Sequence, residues 1–363
     1  MVRLRQNMSQ LQIPQHSGED SPQTGTDTLT RTPSISGSTI STSGRNGQKS
    51  GIRFPQAIAH RGYKAMFPEN SMGAFQGAVD IGAHAIETDL HLTKDGVVVL
   101  VHDPSLKRCF GVDKKVSECD WEYLSTLKTL REPQQSIPRL QDLIEFLATP
   151  GLESVWVLLD IKIDDDPDIL LSTTAKTIES VPATRPWNER VVLGCWNENY
   201  INVAKRYFPS YRFAYIGFSL PYASQFLSDT HSNVDFNLMQ HMLVGPIGAR
   251  FISKIRKAQR KLYIWTVNEE RWMEWGIRKG VDGVITDNPK LFLEVCERYS
   301  RKDKEQVGSG AKRGGQAKNI RMHVNAFLLQ ILAVVFIWVY WPRLATKGKS
   351  NAKSVKEGPA ATV

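Results

Sequence analysis

Eight short apolar runs recur along the middle of this chain, and longer amphipathic stretches separate them. The runs cover residues 56–60, 85–89, 155–162, 190–195, 212–216, 234–239, 261–267 and 283–286. Helical patterns lie between them, among them residues 72–81, 140–147, 169–180 and 271–279. Nearly apolar strands that alternate with helices indicate a parallel sheet covered on both faces. Eight such units predict an α/β fold, a closed (β/α)8 TIM-type barrel, which commonly takes about 250 residues.

Extra chain separates the second and third predicted barrel strands. It contains the turn sequence Lys94-Asp95-Gly96, followed by an apolar run at residues 97–102. We therefore predict a hairpin-like insertion after the second strand, over the mouth of the barrel. The mouth matters because the catalytic groups of TIM barrels gather at the carboxyl ends of the strands.

The net charge of +9 is unevenly distributed over the 363 residues. Residues 1–50 carry five Lys/Arg and three Asp/Glu, and residues 301–363 carry twelve and three. The 29 Lys/Arg and 31 Asp/Glu between them leave the predicted barrel slightly acidic. A nucleic-acid-binding domain carries its basic surface on the fold itself. The expected partners therefore do not include nucleic acid.

The segments outside the barrel have distinct compositions. Residues 1–51 are rich in Ser, Thr, Gln and Gly without apolar periodicity, which predicts a disordered tail. We assign the barrel to residues 52–300 and a basic linker to residues 301–323. Residues 324–341 contain no charged side chain, and a helix of that length matches the hydrocarbon core of a bilayer. They predict a transmembrane helix, followed by a short polar tail at 342–363.

A single span so close to the end of the sequence is typical of a tail anchor. The four cysteines lie far apart and form no Cys-x-x-Cys pair, which favours reduced thiols in a cytosol-facing protein. We therefore expect the barrel to face the cytosol. The expected membrane is the endoplasmic reticulum, a lipid droplet or the mitochondrial outer membrane, with the bilayer as a partner through the C-terminal helix.

Carboxylates lie near the carboxyl ends of the second and third predicted strands. Glu87 and Asp89 are two residues apart on one strand, so their side chains share a face. Two carboxylates so close repel each other unless a cation lies between them. Asp160, at the end of the neighbouring strand, is the candidate third ligand. Oxygen ligands suit Mg²⁺ or Ca²⁺ better than Zn²⁺, so a divalent cation of this kind is predicted at Glu87, Asp89 and Asp160.

Two histidines and two cations complete this set of residues. His60 and His102 titrate near neutral pH, so one can act as base and the other as acid. Arg61 and Lys162 are the predicted phosphate-binding residues, Arg as a bidentate fork and Lys as a point charge. Carboxylates for a hard cation, cations for a phosphate and imidazoles for proton transfer together indicate metal-assisted cleavage of a phosphodiester.

Four nearby residues receive smaller roles. We expect Glu69 to orient Arg61, and Asn70 to cap the helix that follows it. His91 is expected to be exposed, with a weak metal-ligand role as the alternative. Trp265, near a strand end, is the tryptophan expected to contact substrate.

The order of these blocks resembles the glycerophosphodiester phosphodiesterase family. The resemblance rests on His60-Arg61-Gly62, Pro68-Glu69-Asn70-Ser71, Glu87-Thr88-Asp89, Thr93-Lys94-Asp95-Gly96, His102-Asp103, Leu159-Asp160-Ile161-Lys162, Trp265-Thr266-Val267-Asn268 and Asp282-Gly283-Val284-Ile285-Thr286-Asp287. It implies a TIM barrel, a divalent metal and the site residues given above. The family usually has Glu at the third metal position. Asp160 there, together with the C-terminus, most resembles the fungal phosphatidylglycerol-specific phospholipase C branch.

The leading functional hypothesis is a membrane-anchored enzyme of the phospholipase C type. It would hydrolyse phosphatidylglycerol, a membrane phospholipid, to diacylglycerol and glycerol phosphate, and the free 2-hydroxyl of the head group could attack the phosphorus. Direct attack by water is the other route. An alternative is a glycerophosphodiester phosphodiesterase or lysophospholipase D that acts on deacylated or lyso lipids. A catalytically inactive lipid-binding barrel is an alternative of another class, and the complete set of chemical residues argues against it.

Overall fold

The computed structural model describes residues 53–309, with side chains up to residue 301. The predicted N-terminal tail, most of the predicted linker and the predicted transmembrane segment at 324–341 lie outside this range. Within residues 53–309, no helix is both long enough and apolar enough to cross a bilayer.

Eight parallel strands within residues 53–309 close into a barrel, and a ninth strand extends it. The strands are β1 (Gln56–His60), β2 (Ala85–Leu92), β3 (Val98–Leu100), β4 (Trp156–Ile161), β5 (Val191–Cys195), β6 (Arg212–Gly217), β7 (Val234–Met239), β8 (Leu262–Trp265) and β9 (Gly283–Thr286). Around the barrel the order is β1, β2, β4, β5, β6, β7, β8 and β9, and β9 pairs back onto β1. The predicted TIM-type barrel is confirmed.

Helices surround the barrel and connect its strands. Those within the described range are α1 (Met72–Asp80), α2 (Lys107–Phe110), α3 (Trp121–Thr126), α4 (Leu140–Leu147), α5 (Pro167–Glu179), α6 (Trp187–Arg190), α7 (Glu198–Tyr207), α8 (Leu220–Ala223), α9 (Gly245–Lys257), α10 (Glu270–Lys279) and α11 (Pro289–Ser309). The four predicted helical patterns correspond to α1, α4, α5 and α10, with ends that differ by at most two residues. Local chemistry explains such ends. Asp166, for example, caps α5 by accepting a hydrogen bond from the Ile169 amide.

Side chains along each strand point alternately into and out of the barrel, and this alternation determines where the predicted site residues lie. An apolar cluster fills the inside of the barrel and is formed by Ile58, Ala85, Leu158, Val192, Ala214, Ile216, Tyr263 and Ile285. Residues two positions further along a strand point to the same side. Continuing from Ile58, Ala85, Leu158 and Ile285 toward the carboxyl ends therefore gives His60, Glu87, Asp160 and Asp287. The polar groups form the top layer of the barrel interior.

The insertion after β2 is a hairpin, as predicted. β3 pairs antiparallel with the end of β2, with Leu90 opposite Leu100 and Leu92 opposite Val98. This pairing extends β2 three residues beyond its predicted end at Asp89. The insertion also has its own small core, formed by Val99, Val101, Leu106, Val116, Cys119, Leu124 and Ile137. Such a core can hold the segment in place above the barrel.

The buried guanidinium of Arg190, directly before β5, hydrogen-bonds to the backbone at the end of α4 and in the segment before β4. Arg190 is 1% exposed and donates hydrogen bonds to the backbone carbonyls of Leu147, Leu152 and Val155.

We expect Arg190→Ala to lower the free energy of unfolding by about 2–4 kcal/mol, because buried carbonyls lose their donor. Urea denaturation measures this change. Arg185→Ala, at an exposed position, is the control and should change stability little; equal losses in both variants would contradict the role of Arg190.

Candidate active site

The three predicted metal ligands meet at the carboxyl ends of β2 and β4. Glu87, Asp89 and Asp160 are all buried, and one carboxylate oxygen of each lies within 4.8 Å of the others. Parallel pairing explains the arrangement, since Asp89 lies opposite Asp160 in the register of β2 and β4. The donors are all oxygens and close enough to share one ion, so they fit a hard divalent cation.

Charge is out of balance among these carboxylates. Burial, followed by repulsion from Asp89 and Asp160, raises the pKa of Glu87 well above its usual value. Burial would also raise the pKa of Asp89, but Lys162 and Arg61 outweigh it and hold that pKa below its usual range. A further positive charge beside Glu87 would relieve this imbalance, which supports a cation at this position.

The two predicted phosphate-binding residues lie against the same carboxylates. The Lys162 Nζ is 2.6 Å from Asp89 Oδ1 and 2.6 Å from Asp160 Oδ2. The Arg61 Nε is 3.2 Å from Asp89 Oδ2 but is not aligned for a hydrogen bond, whereas its Nη1 donates to Glu69 Oε1 at 2.8 Å. The predicted orientation of Arg61 by Glu69 is confirmed. A guanidinium has five N–H groups, so Arg61 keeps donors for a phosphate.

The turn after β1 positions Arg61. Its backbone is left-handed, with φ of 56°, and its amide donates to Glu87 Oε2 at 2.9 Å. Gly62 follows with φ of 79°, and a Cβ there would come within 2.7 Å of Ala74 in α1. The glycine of the His60-Arg61-Gly62 block is therefore required for the close approach of this turn to α1.

Asp287 orients His60, a role that the sequence analysis did not assign. The His60 Nδ1 is 2.6 Å from Asp287 Oδ1, and Asn268 Nδ2 donates to Asp287 Oδ2 at 2.9 Å. With Nδ1 engaged, Nε2 is the ring nitrogen left for chemistry. Burial lowers the pKa of His60, and the hydrogen bond to Asp287 offsets part of this effect. The pKa of Asp287 itself is lowered to about 2. Its place two residues beyond Ile285 in the inward series was the available signal.

The insertion contributes the second histidine. His102 follows β3, and its Nδ1 is 2.6 Å from Asp103 Oδ1. Burial lowers the pKa of His102, while the charge of Asp89 acts in the opposite direction. Arg108 donates through Nε to Asp103 and through Nη1 and Nη2 to the two carboxylate oxygens of Glu69. Arg108 thus links the carboxylate beside His102 to the carboxylate beside Arg61. The sequence analysis missed this bridge.

Two of the smaller expectations were wrong. Ser71, not Asn70, caps α1 by accepting from the Ala74 amide. Asn70 is instead buried with φ of 53° and donates to Asp89 Oδ2 at 2.8 Å, so it supports a carboxylate of the site. His91 is 2% exposed rather than exposed, because the longer β2 buries it and its Nδ1 lies 2.8 Å from Asp165 Oδ2.

One cavity gathers all seven predicted site residues. It is lined by His60, Arg61, Glu87, Asp89, His102, Asp160, Lys162, Trp196, Ile216, Asn237, Trp265, Thr266 and Ile285. Trp265 lies at its wall, as expected for a residue that contacts substrate. The cavity volume is about 110 Å³, far below the roughly 300–1,000 Å³ of pockets that enclose a drug-sized ligand. It can take a phosphate and a small polar head group.

The comparison with known families agrees with this site. The sequence profile of the glycerophosphoryl diester phosphodiesterase family matches residues 60–291, a span that contains every residue of the cavity. The chain belongs to this family, which is divalent-metal dependent, and it is a phosphodiesterase hydrolase. This match establishes the family and does not establish the fungal phosphatidylglycerol-specific branch.

Individual relatives cover about two thirds of this chain. A glycerophosphodiester phosphodiesterase from Caldanaerobacter subterraneus is 26% identical over 66% of this chain and 97% of its own length. The human lysophospholipase D GDPD1 is 26% identical over 67% of this chain and 86% of its own length. A phosphodiesterase from Oleispira antarctica, solved in complex with the product sn-glycerol-3-phosphate, superposes with a TM-score of 0.60 at 22% identity. It covers 67% of this chain and 97% of that one, and shows the fold.

Replacing Asp287 tests the orientation of His60. We expect Asp287→Asn to lower turnover of a phosphodiester substrate by about 10²-fold or more, the scale of a disabled acid or base. The carboxylate raises the pKa of His60, so its loss should lower that pKa. The limb of the pH–rate profile that reports His60 should therefore move to lower pH.

Asp80→Asn, at the exposed end of α1, is the control for this experiment. It should leave both the rate and the pH profile unchanged. Unchanged turnover in Asp287→Asn would remove Asp287 from the mechanism.

Proposed function

We propose that this chain hydrolyses glycerophosphodiesters, including lysophospholipids, in a reaction that requires a divalent cation at Glu87, Asp89 and Asp160. The observation that carries this proposal is that one small cavity collects the three carboxylates, both histidines and both cations. The relatives named as glycerophosphodiester phosphodiesterases and lysophospholipase D support the substrate class. The volume of the cavity supports a small polar group beside the phosphate.

The histidines are suited to proton transfer in opposite directions. Each has a carboxylate partner at Nδ1, Asp287 for His60 and Asp103 for His102, which leaves Nε2 free to exchange a proton. One histidine takes the proton from the attacking hydroxyl or water as the new P–O bond forms. The other gives a proton to the leaving oxygen as the old P–O bond breaks. The attacking group is either the neighbouring glycerol hydroxyl, through a cyclic phosphate, or water.

The two cations of the site are suited to bind the phosphate, and the three carboxylates are suited to bind the metal. Arg61 keeps unused N–H donors and lies beside the carboxylates, so it can bind a phosphoryl oxygen. Lys162 adds a positive charge to the same wall of the cavity. Mg²⁺ or Ca²⁺ at the carboxylates would neutralise charge that develops on the phosphoryl group.

Metal removal is the first test. Exhaustive treatment with EDTA should abolish hydrolysis of glycerophosphocholine, and added Mg²⁺ or Ca²⁺ should restore it, because three oxygen ligands suit a hard cation. Asp160→Asn should lose the restoration, whereas Asp160→Glu retains the charge and should keep more of it. The rate of choline release measures both variants. Full activity after EDTA dialysis would contradict the metal assignment.

Product analysis tests the substrate class. Glycerophosphocholine should give glycerol phosphate and choline, and lysophosphatidylcholine should give lysophosphatidic acid and choline. Phosphatidylglycerol should be a poorer substrate than these two, because the relatives that support the proposal are named for glycerophosphodiesters and lysophospholipids. Glu87→Gln is the inactive control. Rapid release of diacylglycerol from phosphatidylglycerol, with no turnover of the deacylated substrates, would overturn this proposal in favour of the phospholipase C reaction.

The membrane anchor remains part of the proposal, since residues 324–341 lie outside the described residues. Their uncharged composition supports a tail anchor that leaves the barrel in the cytosol, on the endoplasmic reticulum, a lipid droplet or the mitochondrial outer membrane. A tether of this kind would raise the effective concentration of membrane lipids at the barrel.

Truncation tests the anchor. Deleting residues 320–363 should release the protein from the carbonate-resistant membrane fraction. Hydrolysis of glycerophosphocholine should be unchanged, because every residue that lines the cavity precedes the deleted segment. The matched control is a deletion of residues 346–363, which keeps residues 324–341 and should remain in the membrane fraction. Retention of the 320–363 deletion in that fraction would contradict the anchor.

A further inference from the structure

Asn237 is a polar side chain in the cavity for which the proposed chemistry has no role. It lies on β7, where Phe236 and Leu238 pack in the outer core between the barrel and its helices. Asn237 therefore faces the barrel interior, two residues beyond Asp235. It is 3% exposed and lines the catalytic cavity.

The carboxamide oxygen of Asn237 is unsatisfied. Its Oδ1 is buried and has no hydrogen-bond partner among the described residues. Asp235, on the same face of β7, shows the usual situation: Arg212 donates to both of its oxygens, and the Lys261 amide donates to Oδ1. Buried polar groups are nearly always paired, so an unpaired one at a cavity indicates a partner that comes from outside the protein.

The walls around Asn237 leave few alternatives. Ile216, which lies opposite Asn237 in the register of β6 and β7, is apolar, and so is Ile285 among the other lining residues. The Trp265 indole is already committed, because its Nε1 donates to the backbone carbonyl of Asn237 at 3.0 Å. Arg61 and Lys162 lie against the carboxylates, where a phosphate is expected. In the barrel, β7 lies three strands away from both β1 and β4, whose ends carry Arg61 and Lys162, so the carboxamide can meet a part of the substrate that is neither phosphate nor metal ligand.

We infer that Asn237 is a specificity residue that hydrogen-bonds the terminal hydroxyl of the glycerol half of the substrate. The inference rests on the proposed function and predicts that, among its substrates, deacylated diesters with a free terminal hydroxyl bind more tightly than 1-acyl lysophospholipids. A hydroxyl both donates and accepts, so it satisfies either atom of a carboxamide. A quaternary ammonium has no N–H or O–H to donate, and phosphate oxygens would meet Oδ1 without a proton between them. Both fit this position less well than a hydroxyl.

A pair of ligands that differ in one hydroxyl tests the inference. Glycerol 3-phosphate and propane-1,2-diol 1-phosphate both keep the phosphate and its neighbouring hydroxyl, but only the first has a terminal hydroxyl. Calorimetric titration of the full chain with Mg²⁺ should show about 10- to 100-fold tighter binding of glycerol 3-phosphate, the scale of one buried hydrogen bond. Asn237→Leu should bind both ligands with equal affinity. Asn237→Ala, which opens space instead of filling it, should lose the same preference.

Two further measurements separate specificity from structure. Asn237→Leu removes an unpaired buried amide, so its melting temperature should equal or exceed that of the unmodified protein. Ile216→Leu changes the same cavity without removing a polar group, and it should keep the preference for glycerol 3-phosphate. Persistence of the preference in both Asn237 variants would overturn the inference, and so would its absence from the unmodified protein.

The binding assay requires no turnover, so it is independent of the proposed function. Failure of the proposed function would appear as no hydrolysis of glycerophosphocholine while the hydroxyl preference is intact. Failure of the inference would appear as normal hydrolysis without any effect of Asn237 on the preference.

Discussion

Three carboxylates buried within 4.8 Å of one another are the feature on which this site depends. Two cations, Lys162 and Arg61, lie against them. Buried charges are costly unless they are well paired, and here two positive groups face three negative ones. The raised pKa of Glu87 reflects that imbalance. A divalent cation would complete the pairing. The excess of buried negative charge is costly in the metal-free protein, and the same excess creates affinity for a metal.

The barrel and the insertion divide the work of building the site. Inward alternation along β1, β2, β4 and β9 stacks polar residues directly above an apolar interior cluster. That layer supplies one histidine and all the metal ligands. The insertion supplies His102, and Arg108 connects it to the barrel through Glu69. Arg108 also lowers the pKa of Glu69 to about 2, together with Arg61 and against the effect of burial. Each histidine therefore has a carboxylate partner that accepts a further hydrogen bond: Asp287 accepts from Asn268, and Asp103 accepts from Arg108.

The sequence predicted the barrel well because apolar runs and their order are local properties. It also predicted seven cavity residues. Six follow from the carboxyl ends of parallel strands, which meet at one edge, and His102 of the insertion followed from the resemblance to the family. It failed where the outcome depended on contacts distant along the chain. His91 is buried because β3 pairs with β2, and Asn70 turns inward because Asp89 needs a donor. The partnership of His60 with Asp287 spans 227 residues, and the inward position of Asp287 indicates its side of the strand but not its partner.

Calorimetric titration of the metal-free protein with Mg²⁺, repeated in buffers of different ionisation enthalpy, tests the central claim most directly. Burial and the neighbouring carboxylates raise the pKa of Glu87, and a bound cation favours its carboxylate form, so metal binding and proton release are linked. We predict one ion bound per chain, with proton release that decreases as the pH rises. In Glu87→Gln the proton release should disappear and the affinity should fall. No binding to the unmodified protein, or binding of unchanged affinity and proton release in Glu87→Gln, would contradict the account.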